Sequence, residues 1–310
     1  MFDFLKKIFG QRKEKSDSEP KPVNVATGFV DVKTAPLVEE SLDLDHIEEH
    51  VELRPAQLLV GSAQSVGKQR DHNEDALYAF QAMFADGTSD IPFGVFVVAD
   101  GMGGHEYGEI ASRLAAKTMA EYLLQKLYLP FLSPDPEPSG ESLQELMEQG
   151  VKQAQQIVLR RAPGGGTTLT AALILGEQVT IAHVGDSRAY LIYPDGRMRA
   201  VTQDHSLVRR LVELGQITEA EAAVHPNRNV VYRALGQTEP FRPDVETRQL
   251  PHPGYVMVCS DGLWGVVPDA QMYKIIQAAP NPSIACHQLV EAANAAGGPD
   301  NISVVLVQYL

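Results

Sequence analysis

The chain has 310 residues, with 26 basic against 40 acidic side chains and a formal net charge of −14. That balance argues against a nucleic-acid binder, which needs a basic face to neutralise phosphates, and it suits a site loaded with cations. Two cysteines, one in a strand-like and one in a helix-like run, make a disulfide framework a poor fit and point to a reducing, cytoplasmic compartment; no apolar run approaches a membrane span.

Residues 1–56 read as an N-terminal tail, largely disordered. Its first fifteen residues carry five basic side chains, and on a helix Phe2, Phe4, Leu5, Ile8 and Phe9 would share one face opposite Lys6 and Lys7. That pattern fits a peripheral membrane contact through residues 1–15 or a frayed tail with one amphipathic turn. Residues 16–36 are polar, with Pro20, Pro22 and Pro36, and suit a linker. The acidic stretch 39–52, with Leu42, Leu44, Ile47 and Val51 interspersed, reads as solvated chain or a short helix.

From residue 57 to 310 apolar runs recur without a linker-like break, which predicts one domain. Strands are predicted over 57–66, 75–84, 93–99, 168–175, 178–184, 188–193, 197–202, 244–250, 254–260 and 302–309. Helices are predicted over 106–127, 141–161, 205–215, 218–223, 228–235, 269–278 and 282–296. The patterns Ser142-Leu143-Gln144-Glu145 and Thr218-Glu219-Ala220-Glu221 are capping boxes, and Pro282 suits a first helical position. Strand meanders with helices grouped in pairs indicate an α+β layered sandwich rather than alternating βαβ units.

Two of the most apolar runs end in Asp-Gly: Phe93–Ala99 at Asp100-Gly101, and Tyr255–Ser260 at Asp261-Gly262. A third, Ile302–Val307, is preceded by Asp300-Asn301. An ionised carboxylate at the end of a buried strand is costly unless a positive charge sits on it, so three such aspartates invite a shared cation. Asp-Gly is also a common hairpin turn, and Asp195-Gly196, between two short strand-like runs, reads that way. Asp100-Gly101 instead leads through Met102-Gly103-Gly104-His105 into a helix, and Asp261-Gly262 leads into Leu263-Trp264; neither sequel returns as a paired strand. Upstream, Arg70 precedes Glu74-Asp75 at the start of a strand, where alternation would send the two acids to opposite faces. A planar guanidinium at Arg70 suits phosphate oxygens, although arginine beside acids is often a surface ion pair.

Taken in order, Arg70-Asp71-His72-Asn73-Glu74-Asp75, Asp100-Gly101-Met102-Gly103-Gly104, Gly166-Thr167-Thr168, Gly185-Asp186-Ser187-Arg188, Ser260-Asp261-Gly262-Leu263-Trp264 and Asp300-Asn301 resemble the PPM-type metal-dependent protein phosphatases, the protein phosphatase 2C family, in its bacterial branch. The resemblance covers roughly residues 58–309, and the stretch from Asp204-His205-Ser206 to Leu235-Gly236 looks like the bacterial flap segment. It implies a four-layer αββα sandwich, two antiparallel sheets flanked by helix pairs. It also implies hydrolysis of phosphoserine and phosphothreonine on proteins, opposing a Ser/Thr kinase, by a water that bridges two Mn²⁺ or Mg²⁺ ions.

By the same resemblance, Asp100 would bridge the ions and Gly101 would offer its carbonyl. Asp261 and Asp300 would complete one shell, Glu74 and Asp75 would lie on the other side, and Arg70 would bind substrate phosphate. Asp186 matches a position for a third, weaker ion, or is a strand-end aspartate bonded to nearby backbone. Met102 stands where eukaryotic relatives carry a histidine, so the general acid is unassigned; His72, His105 and His205 read better as supporting, capping or flap residues. Gly164-Gly165-Gly166 lacks the ending of a phosphate loop and reads as a tight lead into a strand. Trp264, the single tryptophan, is expected to pack beside Asp261. Rival readings are a partner-binding pseudoenzyme, which should have lost metal carboxylates, and a metal-dependent nuclease, which the acidic balance opposes.

Overall fold

A computed structural model describes residues 57–85, 90–103, 106–133, 140–237 and 241–310. The tail readings for residues 1–56 and the reading of His105 lie outside the described residues. Among the described residues twelve strands form in chain order: β1 (Leu58–Ser65), β2 (Ala76–Ala85), β3 (Asp90–Ala99), β4 (Gly101–Met102), β5 (Gly166–Thr167), β6 (Leu169–Leu175), β7 (Gln178–Val184), β8 (Arg188–Ile192), β9 (Met198–Ala200), β10 (Asp244–Gln249), β11 (Gly254–Cys259) and β12 (Ile302–Tyr309). The helices are α1 (Glu106–Leu123), α2 (Leu143–Arg161), α3 (Leu207–Glu213), α4 (Glu219–Ala223), α5 (Asp261–Trp264), α6 (Asp269–Ala278) and α7 (Pro282–Ala295).

One five-stranded sheet has the order β1-β12-β11-β8-β9 and the other β10-β7-β6-β3-β2, with every pairing antiparallel. Alternation explains why the central strands read as unbroken apolar runs. In β3, Phe93, Val95, Val97 and Ala99 pack outward beneath α1 and α2, with Met119, Leu123, Leu146 and Val151, while Phe96 and Val98 face the second sheet. In β12, Val304 and Leu306 pack under α6 and α7, against Met272, Ile276 and Leu289, while Val305 and Val307 meet Phe96 and Val98 in the inter-sheet layer. Both faces of both sheets are thus covered, and the four layers run helix pair, sheet, sheet, helix pair.

The capping boxes form at Ser142 and Thr218, and Pro282 opens α7. Asp195-Gly196 is the β8–β9 hairpin turn, with Tyr193 N–H donating to the Arg197 carbonyl at 2.9 Å. Beyond Leu123, α1 widens into a π-helical turn, Leu124–Tyr128, where Leu129 N–H reaches back to the Leu124 carbonyl just before Pro130. A last helical turn follows at Leu129–Phe131, so the helical run outlasts the expected 106–127, with the wider turn just ahead of Pro130, which has no amide to donate.

Three expectations need correction. The predicted helix 228–235 does not form: Arg228 and Val230 bond back only to isolated turns, while Ser206 bridges to Val231, Tyr232 N–H reaches the His205 carbonyl and Leu235 pairs with Thr167, so the rest of the stretch finds its partners in distant segments. Glu74 and Asp75 precede β2 rather than opening it, so strand alternation does not orient them. Gly101-Met102 does pair as a strand, but with Gly166-Thr167 rather than in a hairpin.

Candidate metal and phosphate site

The sheet registers carry the acids to one end of the sandwich. Ala76 pairs with Ala99, which puts Asp75 opposite Asp100 at the end of β2–β3. Cys259 pairs with Val304, and Ser260 N–H continues the ladder to the Ser303 carbonyl at 3.0 Å, which brings Asp261 beside the Asp300-Asn301 turn. Gly185-Asp186 is the crossing from β7 in one sheet to β8 in the other. A cavity of about 460 Å³ opens there, lined by Arg70, Glu74, Asp100, Gly101, Asp186, Asp261 and Asp300, with His72, Met102, Asn229 and Val231 around them. Asp75 stands behind this wall, buried, and its Oδ2 accepts from Ser260 Oγ at 2.8 Å.

The Asp100 main chain is held on three sides. Its amide donates to Thr168 Oγ1 at 2.9 Å, and its carbonyl accepts from Thr168 N–H at 2.8 Å and Thr167 Oγ1 at 2.9 Å. Glycine is required next to it, because a Cβ on Gly101 would collide with the Gly108 and Glu74 carbonyls. Asn301 ties the β1–β2 loop to the turn before β12: its Oδ1 accepts from Glu74 N–H at 2.8 Å, and its Nδ2 donates to the Val66 and His72 carbonyls at 2.8 and 2.9 Å. Asp186 is framed by Trp264, whose indole Nε1 donates to the Asp186 carbonyl at 3.0 Å. The Arg188 guanidinium lies 3.5 Å from the centre of the Trp264 ring and grips Asp204 with two bonds of 2.9 and 2.7 Å.

Burial is the largest influence on Asp75, Asp100, Asp186 and Asp261. It pushes the Asp75 carboxyl up to about 7, against hydrogen bonds from Ser303 and Ser260, and the Asp261 carboxyl up to about 6, with Asp300 repulsion adding to it. Asp100 and Asp186 are raised well above the ordinary range, by burial first and then by neighbouring aspartates, Asp75 for the former and Asp261 for the latter. Arg70 is raised, chiefly by its hydrogen bond to Asp300. Four enclosed acids that repel one another, two of them buried outright, are what a cation would relieve.

Whether a divalent ion suits these residues is tested by two atoms. Asp75 Oδ1 and Asp261 Oδ1 are buried without a hydrogen-bond partner, and an unpartnered buried carboxylate oxygen is expensive unless something cationic meets it. Among the described residues no three His, Cys, Asp or Glu side chains already close into a finished cage. Asp100, Asp186, Asp261 and Asp300 instead line the cavity wall. An all-oxygen set with a backbone carbonyl and room for waters suits Mg²⁺ or Mn²⁺, which keep part of their hydration. The residues present fit such an ion.

The sequence model of the family described as protein phosphatase 2C matches residues 60–302. The chain belongs to the protein phosphatase 2C family. It is 35% identical over 248 residues to the serine/threonine phosphatase stp of Listeria innocua, covering 78% of this chain and 92% of that relative. Over 250 residues it is also 35% identical to the serine/threonine protein phosphatase PstP of Mycobacterium tuberculosis, spanning 79% of this chain but 43% of that longer relative. The crystal structure of the M. tuberculosis phosphatase PstP/Ppp is similar with a TM-score of 0.66 at 33% identity, covering 81% of this chain and 98% of that one. A structure of the PstP catalytic domain in complex with 2 manganese ions is similar with a TM-score of 0.65 at 31% identity, covering 82% and 100%. The phosphatase 2C domain of this chain is thus an α+β sandwich hydrolase, and its cavity at the sheet ends is the candidate active site.

Of the sequence-derived site residues, all but Asp75 reach the cavity wall. His72 also lines it, with Nε2 2.9 Å from Glu74 Oε1. His205 does not: it is buried at the root of the flap, where its Nδ1 accepts from Gly185 N–H at 3.0 Å and its Nε2 lies 3.0 Å from Asp244 Oδ2. Sequence reasoning gave no role to Asn301, Thr167, Thr168, Ser260 or Gln155. The first four sit inside the motifs already singled out, and for Ser260 and Asn301 a polar residue next to an aspartate was the available clue; Thr167, Thr168 and Gln155 have no acidic neighbour in sequence.

Proposed function

We propose that this phosphatase 2C chain hydrolyses phosphoserine and phosphothreonine on proteins, in opposition to a Ser/Thr kinase, with two Mn²⁺ or Mg²⁺ ions. Asp100, the Gly101 carbonyl, Asp261 and Asp300 would hold them, with Glu74 and Asp75 on the far side, directly or through water, and Asp186 offering a place for a third, weaker ion. The observation that carries this reading is the meeting of Asp100, Asp186, Asp261 and Asp300 at one cavity, with Asp261 Oδ1 buried and unpartnered.

Ions bound there would acidify a shared water for in-line attack on phosphorus and offset charge on the phosphoryl oxygens. The protein's own part is to orient and to balance charge. Arg70, on the cavity rim and half-exposed, presents donors for phosphate oxygens while its Nη2 donates to Asp300 at 2.8 Å. Thr167 and Thr168 hold the Asp100 backbone so that its carboxyl group faces the cavity. A cysteine nucleophile has no support: Cys259 and Cys286 are buried, burial pushes both thiols up, that of Cys286 to about 12, and neither lines the cavity.

Among the described residues no helix is long and apolar enough to cross a membrane. A cytoplasmic location with peripheral membrane contact through residues 1–15 belongs to the same proposal. Purified chain incubated with a phosphothreonine peptide should release phosphate with Mn²⁺ or Mg²⁺ and stop when the metal is chelated. Release of no phosphate with any divalent ion would overturn the reading.

A further inference from the structure

Among the buried residues of α2, Gln155 alone carries a polar side chain; its neighbours in that stripe are Leu143, Leu146, Met147, Val151, Ala154 and Val158. Only 3% of it is exposed. Both ends of its amide are used, and both by one turn of distant backbone: Oε1 accepts from Gly236 N–H at 2.7 Å and Nε2 donates to the Gln237 carbonyl at 2.6 Å. The side chain thereby pairs with this turn as a strand would, offering one donor and one acceptor in fixed spacing.

The turn so held is itself tightly built. Gly236 has a φ of +90°, and a Cβ there would collide with the Gly165 carbonyl, so the backbone of the turn approaches that of the Gly165-Gly166 segment closely. Leu235 and Thr167 exchange backbone hydrogen bonds of 2.8 and 3.1 Å. Thr167 in turn pairs with Gly101 across β4–β5 and donates from Oγ1 to the Asp100 carbonyl at 2.9 Å. A path of hydrogen bonds with one peptide link, Leu235-Gly236, therefore runs from Gln155 through Thr167 to Asp100 and Gly101. The same return arm carries Asn229 and Val231 on the cavity wall.

Stability alone gives little reason for an amide in this apolar stripe. Each neutral hydrogen bond contributes only about 1 kcal/mol net, and the Gly236 and Gln237 backbone groups it meets lie on a turn that is not fully buried, so losing the amide costs less than it would at an enclosed site. Orientation gives a better one.

We propose that Gln155, which touches neither the cavity nor a substrate, is a positioning residue for the phosphatase reaction: it sets the placement of the Asp100-Gly101 backbone and of the 229–237 arm over the cavity. This inference rests on the metal-site reading given under the proposed function.

The test uses the full chain and two variants. Gln155→Leu removes both hydrogen bonds, and Gln155→Glu keeps the acceptor for Gly236 N–H while setting an oxygen against the Gln237 carbonyl. Mn²⁺ affinity is measured by titration calorimetry without substrate, KM and kcat on a phosphothreonine peptide at saturating Mn²⁺, and amide exchange over 166–168 and 229–237. For Gln155→Leu the Mn²⁺ Kd and the KM should each rise, by roughly tenfold, since small displacements from afar are costly in an aligned site, and both segments should exchange faster. Gln155→Glu should fall between that variant and the parent. A merely structural role would lower the melting temperature and leave Kd and KM unchanged, and that result overturns the proposal. Should Gln155→Leu fail to fold, the same comparison on Gln155→Glu decides. Parent protein that binds Mn²⁺ but releases no phosphate removes the proposed function, and the Kd comparison still decides on Gln155. Parent protein that binds no Mn²⁺ overturns both.

Discussion

Arg70 donates from Nη2 to Asp300 Oδ2 at 2.8 Å, joining across 230 residues the side chain expected to read phosphate and one expected to hold a cation. The arginine offsets part of the acidic charge of the cavity and is held in place by the contact. Replacing it by alanine should raise KM for a phosphothreonine peptide roughly ten- to a hundredfold, the worth of one charge-assisted hydrogen bond, with a smaller change in kcat. Saturation curves on the peptide measure this, and an unchanged KM would remove Arg70 from phosphate binding. Arg70→Lys keeps the charge but not the fork and should recover only part of the loss.

Asp261 has one buried, unpartnered oxygen and a carboxyl group pushed up to about 6 by burial and then by Asp300. Asp261→Asn should abolish turnover and, in metal-free protein, raise the melting temperature, because one of several mutually repelling acids is gone. Adding Mn²⁺ should then stabilise the variant less than the parent. Near-normal turnover in the variant would show that Asp261 is not a ligand.

The raised carboxyl groups also give metal-free protein a pH dependence of definite sign. Asp75 titrates near 7 in the fold against 3.8 ordinarily, so over that interval the fold retains a proton that the unfolded chain has lost. Stability is then fully present below the lower value and is lost as pH rises through the higher one. The buried His183, lowered to about 4 chiefly by burial, acts with opposite sign below 6.5, so the comparison belongs above that value. Metal-free protein should melt at lower temperature at about pH 8 than at about pH 6.5, and the gain from Mn²⁺ should be larger at the higher pH, since protons compete with the ion. Melting curves with and without chelator test both statements, and a flat or rising metal-free profile would contradict them.

Asn301, 5% exposed, pins the single β1–β2 loop at three points through bonds to Glu74, Val66 and His72. Asn301→Ala should cost about 2–3 kcal/mol by urea denaturation, since it leaves several enclosed backbone groups without partners. Activity should fall with it even where the protein is folded, because Glu74 loses its backbone tether. A midpoint unchanged from the parent would mean that the β1–β2 loop stands without this hub.

Much of the fold was legible because the central strands are buried on both faces. Runs such as 93–99 and 254–260 need no alternation to be seen, and the capping residues Ser142 and Thr218 mark helix starts locally. The stretch 228–235 misled for the opposite reason: its backbone partners are His205, Leu207 and Thr167, which no local pattern names. Glu74 and Asp75 were misplaced by one or two residues at a strand start, enough to void an alternation argument.

Sequence by itself determined the α+β layering and the identity of the acids, since an aspartate closing an apolar run announces a buried charge whatever lies around it. Only the tertiary structure decided which of them share a cavity, that Asp75 stands behind its wall, and that Asn301, Thr167 and Gln155 hold the frame. Those facts follow from antiparallel register and from hydrogen bonds between segments far apart in the chain, and such pairings exist only once the two sheets have packed.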